Sequence, residues 1–169
     1  FADAPYDVAV GKVNYKFKSP LKLTQGNKVS HWQEVASIGY PETSSDYEAS
    51  DLFMNLRAFK GYVHRETFPS EGPFGRHPNG YELSFLPGKG ASGAPVFTVP
   101  DEKVIGVAVS SFRSERELYE QTDVLSDGSK YVEKKISVEQ FGFAHALDGL
   151  LDWRAKIFEG KTLQEIASV

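Results

Sequence analysis

A glycine-rich segment around Ser92 carries the residue types of this 169-residue chain that best suit covalent chemistry. The run from Gly88 to Pro95 reads GKGASGAP. A serine hydroxyl is a weak nucleophile, so it needs an exposed position, a nearby base and hydrogen-bond donors for the oxyanion that forms when it attacks a carbonyl. Because Gly90 lacks a Cβ, the backbone can turn tightly enough to bring its amide and the Ser92 amide to one point. The pattern predicts an acyl-transfer nucleophile at Ser92, with the amides of Gly90 and Ser92 as oxyanion hole.

Three other interpretations of this segment can be weighed from its spacing. The nucleophile elbow of α/β-hydrolases requires glycine two residues after the serine, but Ala94 stands there, so the elbow is excluded. A phosphate-binding loop requires Ser or Thr directly after its Gly-Lys pair, but Gly90 follows Lys89, which argues against such a loop. A structural turn whose serine only bonds nearby backbone remains an open alternative to the nucleophile.

Composition excludes several classes of function and leaves others open. The chain has no cysteine, which removes disulfides, thiolate zinc sites and thiol nucleophiles, and the Ser92 chemistry requires no cofactor or metal. The net charge is −4 and the basic residues are scattered, which argues against a nucleic-acid surface. No window approaches about 18 consecutive apolar residues, so no membrane span is predicted. The lack of cysteine suits a cytoplasmic, a periplasmic or a secreted protein, and localisation stays undecided.

Short stretches with period-two alternation or β-branched runs, separated by turn signals, predict that most of the chain is β-structure. Asn79-Gly80 and Asp127-Gly128 are the turn dipeptides. The predicted strands cover Val8 to Val13, Val35 to Tyr40, Leu56 to Arg65, Tyr81 to Leu86, Pro95 to Val99, Val104 to Ser111 and Val138 to Ala146.

Two polar stretches predict loops, and the end of the chain predicts helix. Pro41 to Asp51 is the first loop; Arg113 to Tyr131 is the second, with one helical turn over Ser114 to Glu120. Apolar residues spaced by three and four from Ala146 to Phe158 predict a C-terminal helix that Gly160 would stop. Thr162 followed by Glu165 matches a capping box at the start of a second helix. The fold class expected is all-β, a barrel or sandwich with a docked C-terminal helix.

The serine loop and the apolar strand after it resemble the Gly-x-Ser-Gly-x-Pro nucleophile loop of trypsin/chymotrypsin-like serine peptidases. The longer run from Pro87 to Phe97 is most similar to disulfide-free bacterial trypsin-like peptidases. The resemblance implies a chymotrypsin-like β-barrel, mostly the second barrel of that double-barrel fold, with Ser92 between the third and fourth of its six strands. The implied division is 1–14 as the last strand region of a first barrel, 15–31 as the connection, 32–146 as the second barrel and 147–169 as a C-terminal helical segment.

The same resemblance assigns further site residues. Asp7, which precedes Ser92 by 85 residues and stands before a small apolar strand, is similar to the catalytic aspartate of this clan. Ala91 occupies the position where zymogen members of the family have aspartate, so activation by pairing with a new N-terminus is not expected. The implied substrate-binding residues are Leu86, Lys89, Val109, Ser110 and Ser111, with the 141–143 region as a further wall. No acidic residue stands in these segments, which favours a small or apolar substrate side chain over Lys or Arg.

The base of the triad is missing from the expected place. The chain order in this clan is His, Asp, Ser, and no histidine precedes Asp7. The four histidines, all of which follow it, are predicted to be surface or structural residues: His31, His64, His77 and His145.

The chain starts at Phe1 without an initiator methionine, which predicts that it begins inside a longer protein. The expected partners are a polypeptide substrate and a missing N-terminal barrel segment that supplies the histidine. We therefore expect a serine endopeptidase that acts through an acyl-enzyme and is inactive as this chain alone. A catalytically inactive protease-fold binding module is the alternative, and an unrelated β-barrel interaction domain is a third, weaker one.

Overall fold

The computed structural model describes residues 8–11, 14, 21–23, 29–42, 45–48, 51–72, 75–99 and 101–167. The strands are β1 (Lys22–Leu23), β2 (Glu34–Gly39), β3 (Ser45–Glu48), β4 (Asp51–Met54), β5 (Arg57–Thr67), β6 (Ser70–Gly72), β7 (Gly75–His77), β8 (Gly80–Leu83), β9 (Pro95–Thr98), β10 (Lys103–Val124) and β11 (Lys130–Ala146). Two short helices, α1 (Asp148–Leu151) and α2 (Leu163–Ala167), flank a 3-10 turn at Lys156–Phe158. The structure is mostly β with little helix, which confirms the all-β prediction.

Six antiparallel strands pair into a closed ring. β2 pairs with β5, β5 with β8, β8 with β11, β11 with β10, β10 with β9, and β9 again with β2. Ser92 lies between β8 and β9, the third and fourth strands of the ring in chain order. The short β1 adds to β10 as a parallel neighbour, while β3 with β4 and β6 with β7 form separate hairpins.

Alternation along the strands sets the interior of the ring. In β2 the buried positions are Val35, Ser37 and Gly39, while the residues between them are partly exposed. Val35, Val63 of β5 and Val96 of β9 belong to one cluster of buried apolar residues. The strands therefore form because each has one apolar face to bury, and the ring gives all these faces one shared core.

A second apolar cluster lies where the end of the chain docks. Phe97 and Val104 form it together with Leu147 and Leu150 of the α1 region, and Trp153 packs against them. None of the helices within the described residues combines the length and the apolar character that crossing a lipid bilayer requires.

The predicted strands of the ring are found with shifted ends, and one prediction outside the ring is wrong. Residues 8–11 of the predicted strand Val8 to Val13 have no strand conformation, because no described strand pairs with them; 12 and 13 lie outside the described residues. The strand predicted over Tyr81 to Leu86 ends at Leu83. There the Ser84 hydroxyl accepts a hydrogen bond from the Tyr62 amide at 2.9 Å and turns the chain out of the ladder.

Both loop predictions are corrected by the structure. The stretch predicted as a loop with a helical turn over Ser114 to Glu120 belongs to an antiparallel hairpin formed by β10 and β11. We call the outer part of this hairpin, residues 116–137, the arm. Its charged side chains pair across the strands, as Lys134 does with Glu117 at 3.6 Å and Glu120 at 2.6 Å. The stretch from Pro41 to Asp51 contains β3 and the first residue of its partner strand β4 where a loop was expected.

The predicted C-terminal helix is also shorter than expected. In place of one helix from Ala146 to Phe158, the chain forms α1 and a 3-10 turn. The capping box is confirmed: the Glu165 carboxylate accepts from the Thr162 amide at 2.7 Å, and the Thr162 hydroxyl accepts from the Glu165 amide at 3.1 Å.

Candidate functional site

Ser92 is exposed on the loop between β8 and β9, and hydrogen bonds tie that loop to β10. The Ser92 hydroxyl donates to the Val109 carbonyl at 3.0 Å. Next to it, the Gly93 amide donates to the Ala108 carbonyl at 2.7 Å, and the Ala108 amide donates back to Ala94 at 2.9 Å. The nucleophile predicted from the sequence is therefore held against a strand of the ring and remains open to solvent.

Glycines give this loop its shape. Gly88, Gly90 and Gly93 have φ of +82°, +88° and +93°, a region that side-chain-bearing residues rarely adopt. Gly90 is also constrained by space, since a Cβ there would lie 2.9 Å from the amide nitrogen of Glu42. The sequence pattern of closely spaced glycines follows from these backbone requirements.

The amides of the loop divide into two groups. Those of Ala91, Gly93 and Ala94 donate to backbone carbonyls of Gly88, Ala108 and Ala91, respectively. Within the described part of the chain, the amides of Gly90 and Ser92 donate to no protein group. These are the two amides predicted as the oxyanion hole, and both remain available to a ligand oxygen.

A cavity of about 380 Å³ opens beside the loop, and Gly90 and Ser92 line it. The structure brings four of the predicted substrate-binding residues together in its wall: Leu86, Lys89, Val109 and Ser111. For Ser110, the fifth, the backbone pairs with Phe143 and the side chain lies outside what the structure describes.

The wall expected from residues 141–143 lies behind the cavity. Gly142 is buried, and a Cβ there would contact the Phe85 carbonyl oxygen and lie 3.0 Å from Cδ of Pro87. Gly142 therefore packs against residues 85–87, which continue into the cavity wall, and it is not itself among the residues that line the cavity.

Lys89 is the charged residue of the cavity wall, and no carboxylate is found among the described residues that line it. The Lys89 ammonium pairs with the Glu42 carboxylate at 2.9 Å, and both side chains are exposed at the rim. The Lys89 carbonyl also accepts from the Glu42 amide at 2.7 Å. Glu42 was not singled out from the sequence, where it lies within a stretch predicted as a loop.

A second cavity, of about 490 Å³, meets the first at Ser92 and is lined mainly by apolar residues. Its wall includes Val8, Val107, Leu150 and Trp153. The predicted catalytic residue Asp7 lies outside the described residues, while Val8, its neighbour in the chain, lines this cavity together with Ser92.

The three histidines whose side chains the structure describes occupy positions that fit surface and structural roles. His31 is exposed. His64 lies 3.6 Å from the Glu82 carboxylate and contacts the ring of Phe141. His145 is fully buried and packs edge-on against Phe143. For His77 the structure describes the backbone, in β7. Among the described side chains no histidine is hydrogen-bonded to Ser92.

The described His, Asp and Glu side chains form no cluster of three that would hold a metal ion. Comparison with known protein families, with curated proteins and with solved structures gives no match to this chain. The function must therefore be argued from the geometry of the Ser92 loop and its cavities.

Proposed function

We propose that this chain is the nucleophile-bearing part of a trypsin/chymotrypsin-like serine endopeptidase, with Ser92 as nucleophile. The observation that carries the proposal is the exposed Ser92 hydroxyl, which lies beside a cavity that Gly90 and Ser92 line, and the amides of these two residues donate to no protein group among the described residues. The six-stranded ring, with Ser92 between its third and fourth strands, supports the chymotrypsin-like double-barrel assignment and its second barrel in particular.

The proposed mechanism uses these groups in two steps. Ser92 Oγ attacks the scissile carbonyl carbon while its proton passes to a histidine, and the amides of Gly90 and Ser92 donate to the oxyanion. The tetrahedral intermediate expels the amine, which takes the proton from the imidazolium, and water then hydrolyses the acyl-enzyme. Asp7 orients the imidazole. The hydrogen bond from Ser92 to the Val109 carbonyl must break for the hydroxyl to bond to the histidine.

The histidine is proposed to come from a polypeptide segment that precedes Asp7. The second cavity supports this, because it presents an apolar surface directly beside Ser92, with Val107 and Leu150 in its wall. A segment of complementary apolar character docked there would cover this surface and place its side chains next to the nucleophile.

The first cavity indicates the class of substrate. Its wall includes Leu86, Pro87, Val109 and Ser111, and no carboxylate is found among the described lining residues. A buried cationic side chain of a substrate would find no countercharge there. A small or apolar residue on the acyl side of the scissile bond therefore fits better than Lys or Arg.

A fluorophosphonate probe tests the nucleophile. The protein that includes the segment preceding Asp7 is incubated with the probe, and the labelled residue is identified by mass spectrometry. We expect labelling at Ser92, its loss in Ser92→Ala, and its retention in Ser129→Ala, a serine at the tip of the arm. A folded wild-type protein that does not react, or equal labelling of the Ser92→Ala variant, would overturn the proposal.

A protease-fold binding module without catalysis is the second candidate. The observation in its favour is that the Ser92 hydroxyl is bonded to a carbonyl and to no described histidine. In that case, peptides with apolar side chains would bind in the first cavity at micromolar concentration, and Ser92→Ala would bind them equally well. Absence of probe labelling together with such binding would select this function over the peptidase.

A further inference from the structure

We propose that Glu42 is a positioning residue for the oxyanion hole, holding the Lys89–Gly90 peptide so that the Gly90 amide faces the cavity. The inference rests on the proposed function, since the oxyanion hole has meaning for an acyl-transfer enzyme. Glu42 itself does not line the cavity. It would act on catalysis through the peptide that it holds.

The backbone contact fixes the direction of that peptide. The carbonyl of Lys89 accepts a hydrogen bond from the Glu42 amide at 2.7 Å. In a planar trans peptide the C=O and the following N–H point in opposite directions. Because the Lys89 carbonyl points at Glu42, the Gly90 N–H points away from Glu42. Within the described chain, that N–H donates to no protein group.

An ion pair between the side chains joins the same two residues a second time. The Lys89 ammonium lies 2.9 Å from the Glu42 carboxylate. The two residues are thus joined by a backbone bond and an ion pair, and rotation of the Lys89–Gly90 peptide would have to break the first and displace the second. Because both side chains are exposed, this ion pair contributes less than a buried one would, and salt screens it.

The backbone on both sides of Lys89 also packs closely against the segment that follows β2. A Cβ on Gly88 would lie 3.2 Å from Cβ of Pro41, and one on Gly90 would lie 2.9 Å from the Glu42 nitrogen. One step earlier, Gly39 faces Ala94 in the same way, with 3.1 Å to its Cβ. The segment after β2 therefore lies against the serine loop along its length, and Glu42 is the residue of that segment bonded to the peptide of interest.

The hydrogen bond and the ion pair between Lys89 and Glu42 anchor a loop that has no charged residue directly before Ser92. The residue directly before Ser92 is Ala91, which is buried at 2% exposure and offers no carboxylate to anchor the loop from within. Anchoring comes instead from outside the loop, through Glu42.

Charge reversal and charge exchange test the proposal in the protein that includes the segment before Asp7. Glu42→Lys should slow Ser92 labelling and lower kcat roughly 3- to 10-fold with little change in KM, because an oxyanion donor acts on the transition state. Lys89→Glu should slow labelling and lower kcat by a similar factor, and because Lys89 lines the substrate cavity its KM should change as well. The exchanged pair Lys89→Glu/Glu42→Lys should recover most of the rate. Glu42→Pro, which removes the amide donor, should approach the roughly 100-fold loss typical of a missing oxyanion donor.

A matched control comes from another exposed ion pair. Lys60 and Glu34 lie 3.3 Å apart with side chains about as exposed as that of Glu42, and they are not among the residues that line either cavity beside Ser92. Lys60→Glu makes the same change of charge and should leave kcat and labelling unchanged. Equal losses in Lys60→Glu and Lys89→Glu would overturn the proposal, as would wild-type rates in both single variants at Lys89 and Glu42.

Hydrogen exchange at the Glu42 amide keeps the two proposals separable. That amide donates to the Lys89 carbonyl, so its exchange should accelerate in Lys89→Glu and slow again in the exchanged pair. If wild-type Ser92 is not labelled, the peptidase proposal fails. An unchanged exchange rate of the Glu42 amide in Lys89→Glu then also refutes the positioning role of Glu42. If wild-type Ser92 is labelled and the variants at Lys89 and Glu42 keep the wild-type labelling rate and kcat, only the positioning role of Glu42 is refuted.

Discussion

At the scale of single residues, the three glycines around Ser92 meet different requirements. Gly93 has open space around it and needs glycine for its φ of +93° alone. Gly88 and Gly90 combine positive φ with a close neighbour, Pro41 for the first and Glu42 for the second. The loop is therefore constrained by backbone conformation at each glycine and by packing at the two that flank Lys89.

The effect of packing can be separated from that of conformation by substitution with alanine. Gly90→Ala adds a methyl group 2.9 Å from the Glu42 nitrogen at a φ of +88°, whereas Gly128→Ala at the arm tip meets the same strain, φ +84°, in open space. We expect Gly128→Ala to cost about 1–2 kcal/mol of local stability from conformation alone. Gly90→Ala should cost more in urea unfolding and should also slow Ser92 labelling. Equal effects on labelling would contradict the close contact.

The proposed site residues that lie within one local motif could be predicted from the sequence. Ser92, Gly90 and Lys89 lie within a few residues of one another; their spacing predicts the roles proposed for Ser92 and Gly90, and the family resemblance predicts the role proposed for Lys89. Glu42 stands 47 positions before Lys89, in a stretch whose polar composition predicted a loop. Its contact depends on where the ring places the end of β2, and a single sequence carries no signal for that.

At the scale of secondary structure, the arm is the element that sequence analysis placed wrongly. Its residues are rich in charge, and charge on both faces of a segment is typical of a solvated loop. Within the hairpin, Glu120 lies directly opposite Lys134, and an opposite-charge pair across a ladder stabilises it. The Glu120 side chain pairs with Lys134, and this pairing lowers the pKa of Glu120 and raises that of Lys134.

Because the arm buries little, the ring should fold without it. Glu115 and Val138 are directly paired, so residues 116–137 can be replaced by Asn-Gly, a dipeptide suited to a two-residue hairpin turn. Side chains in this span are exposed or, at one position, partly exposed. We expect the free energy of unfolding to change by less than about 1 kcal/mol, as for surface substitutions.

Chemical denaturation followed by tryptophan fluorescence measures that change. Leu83→Ala provides the contrast, since Leu83 is fully buried in the ring and its truncation should cost about 2–5 kcal/mol. A shortened protein destabilised as much as Leu83→Ala would show that the arm contributes to the core.

The C-terminal elements show where periodicity misleads. The apolar spacing from Ala146 to Phe158 is helical, but the chain leaves α1 after Leu151. Beyond it, the Trp153 carbonyl accepts from the Leu163 amide at 3.0 Å, which joins the segment after α1 to the start of α2. Docking onto the ring thus overrides the local pattern, while the capping box, whose partners are three residues apart, was predictable from the sequence.

At the scale of the whole molecule, closure of the ring depends on pairing between distant segments. β9 lies between β2 and β10, so residues near Val35 must meet residues near Val96. Alternation predicts that such strands exist and which face is apolar, but not which strands become neighbours. The all-β class could therefore be predicted from the pattern, whereas the order of the strands in the sheet could not.

Tyr81 couples the ring to the C-terminal elements through its ionisation. It lies on β8, and burial, followed by the negative charges of Asp148 in α1 and Glu66 in β5, raises its pKa to about 12. In the unfolded chain the pKa of tyrosine is about 10. Below pH 10 the phenol is protonated in both states, and its contribution to stability is complete. As the pH rises towards 12, the unfolded state loses its proton first, so folding becomes less favourable.

We therefore expect the free energy of unfolding to fall between about pH 10 and 12 more steeply in the wild type than in Tyr81→Phe. Other groups titrate in this range, so the measured quantity is the difference between the two proteins in urea unfolding at successive pH values. Tyr131→Phe is the matched control, because Tyr131 is 57% exposed on the arm and has no comparable burial. Parallel curves for the wild type and Tyr81→Phe would show that folding leaves the pKa of Tyr81 unchanged.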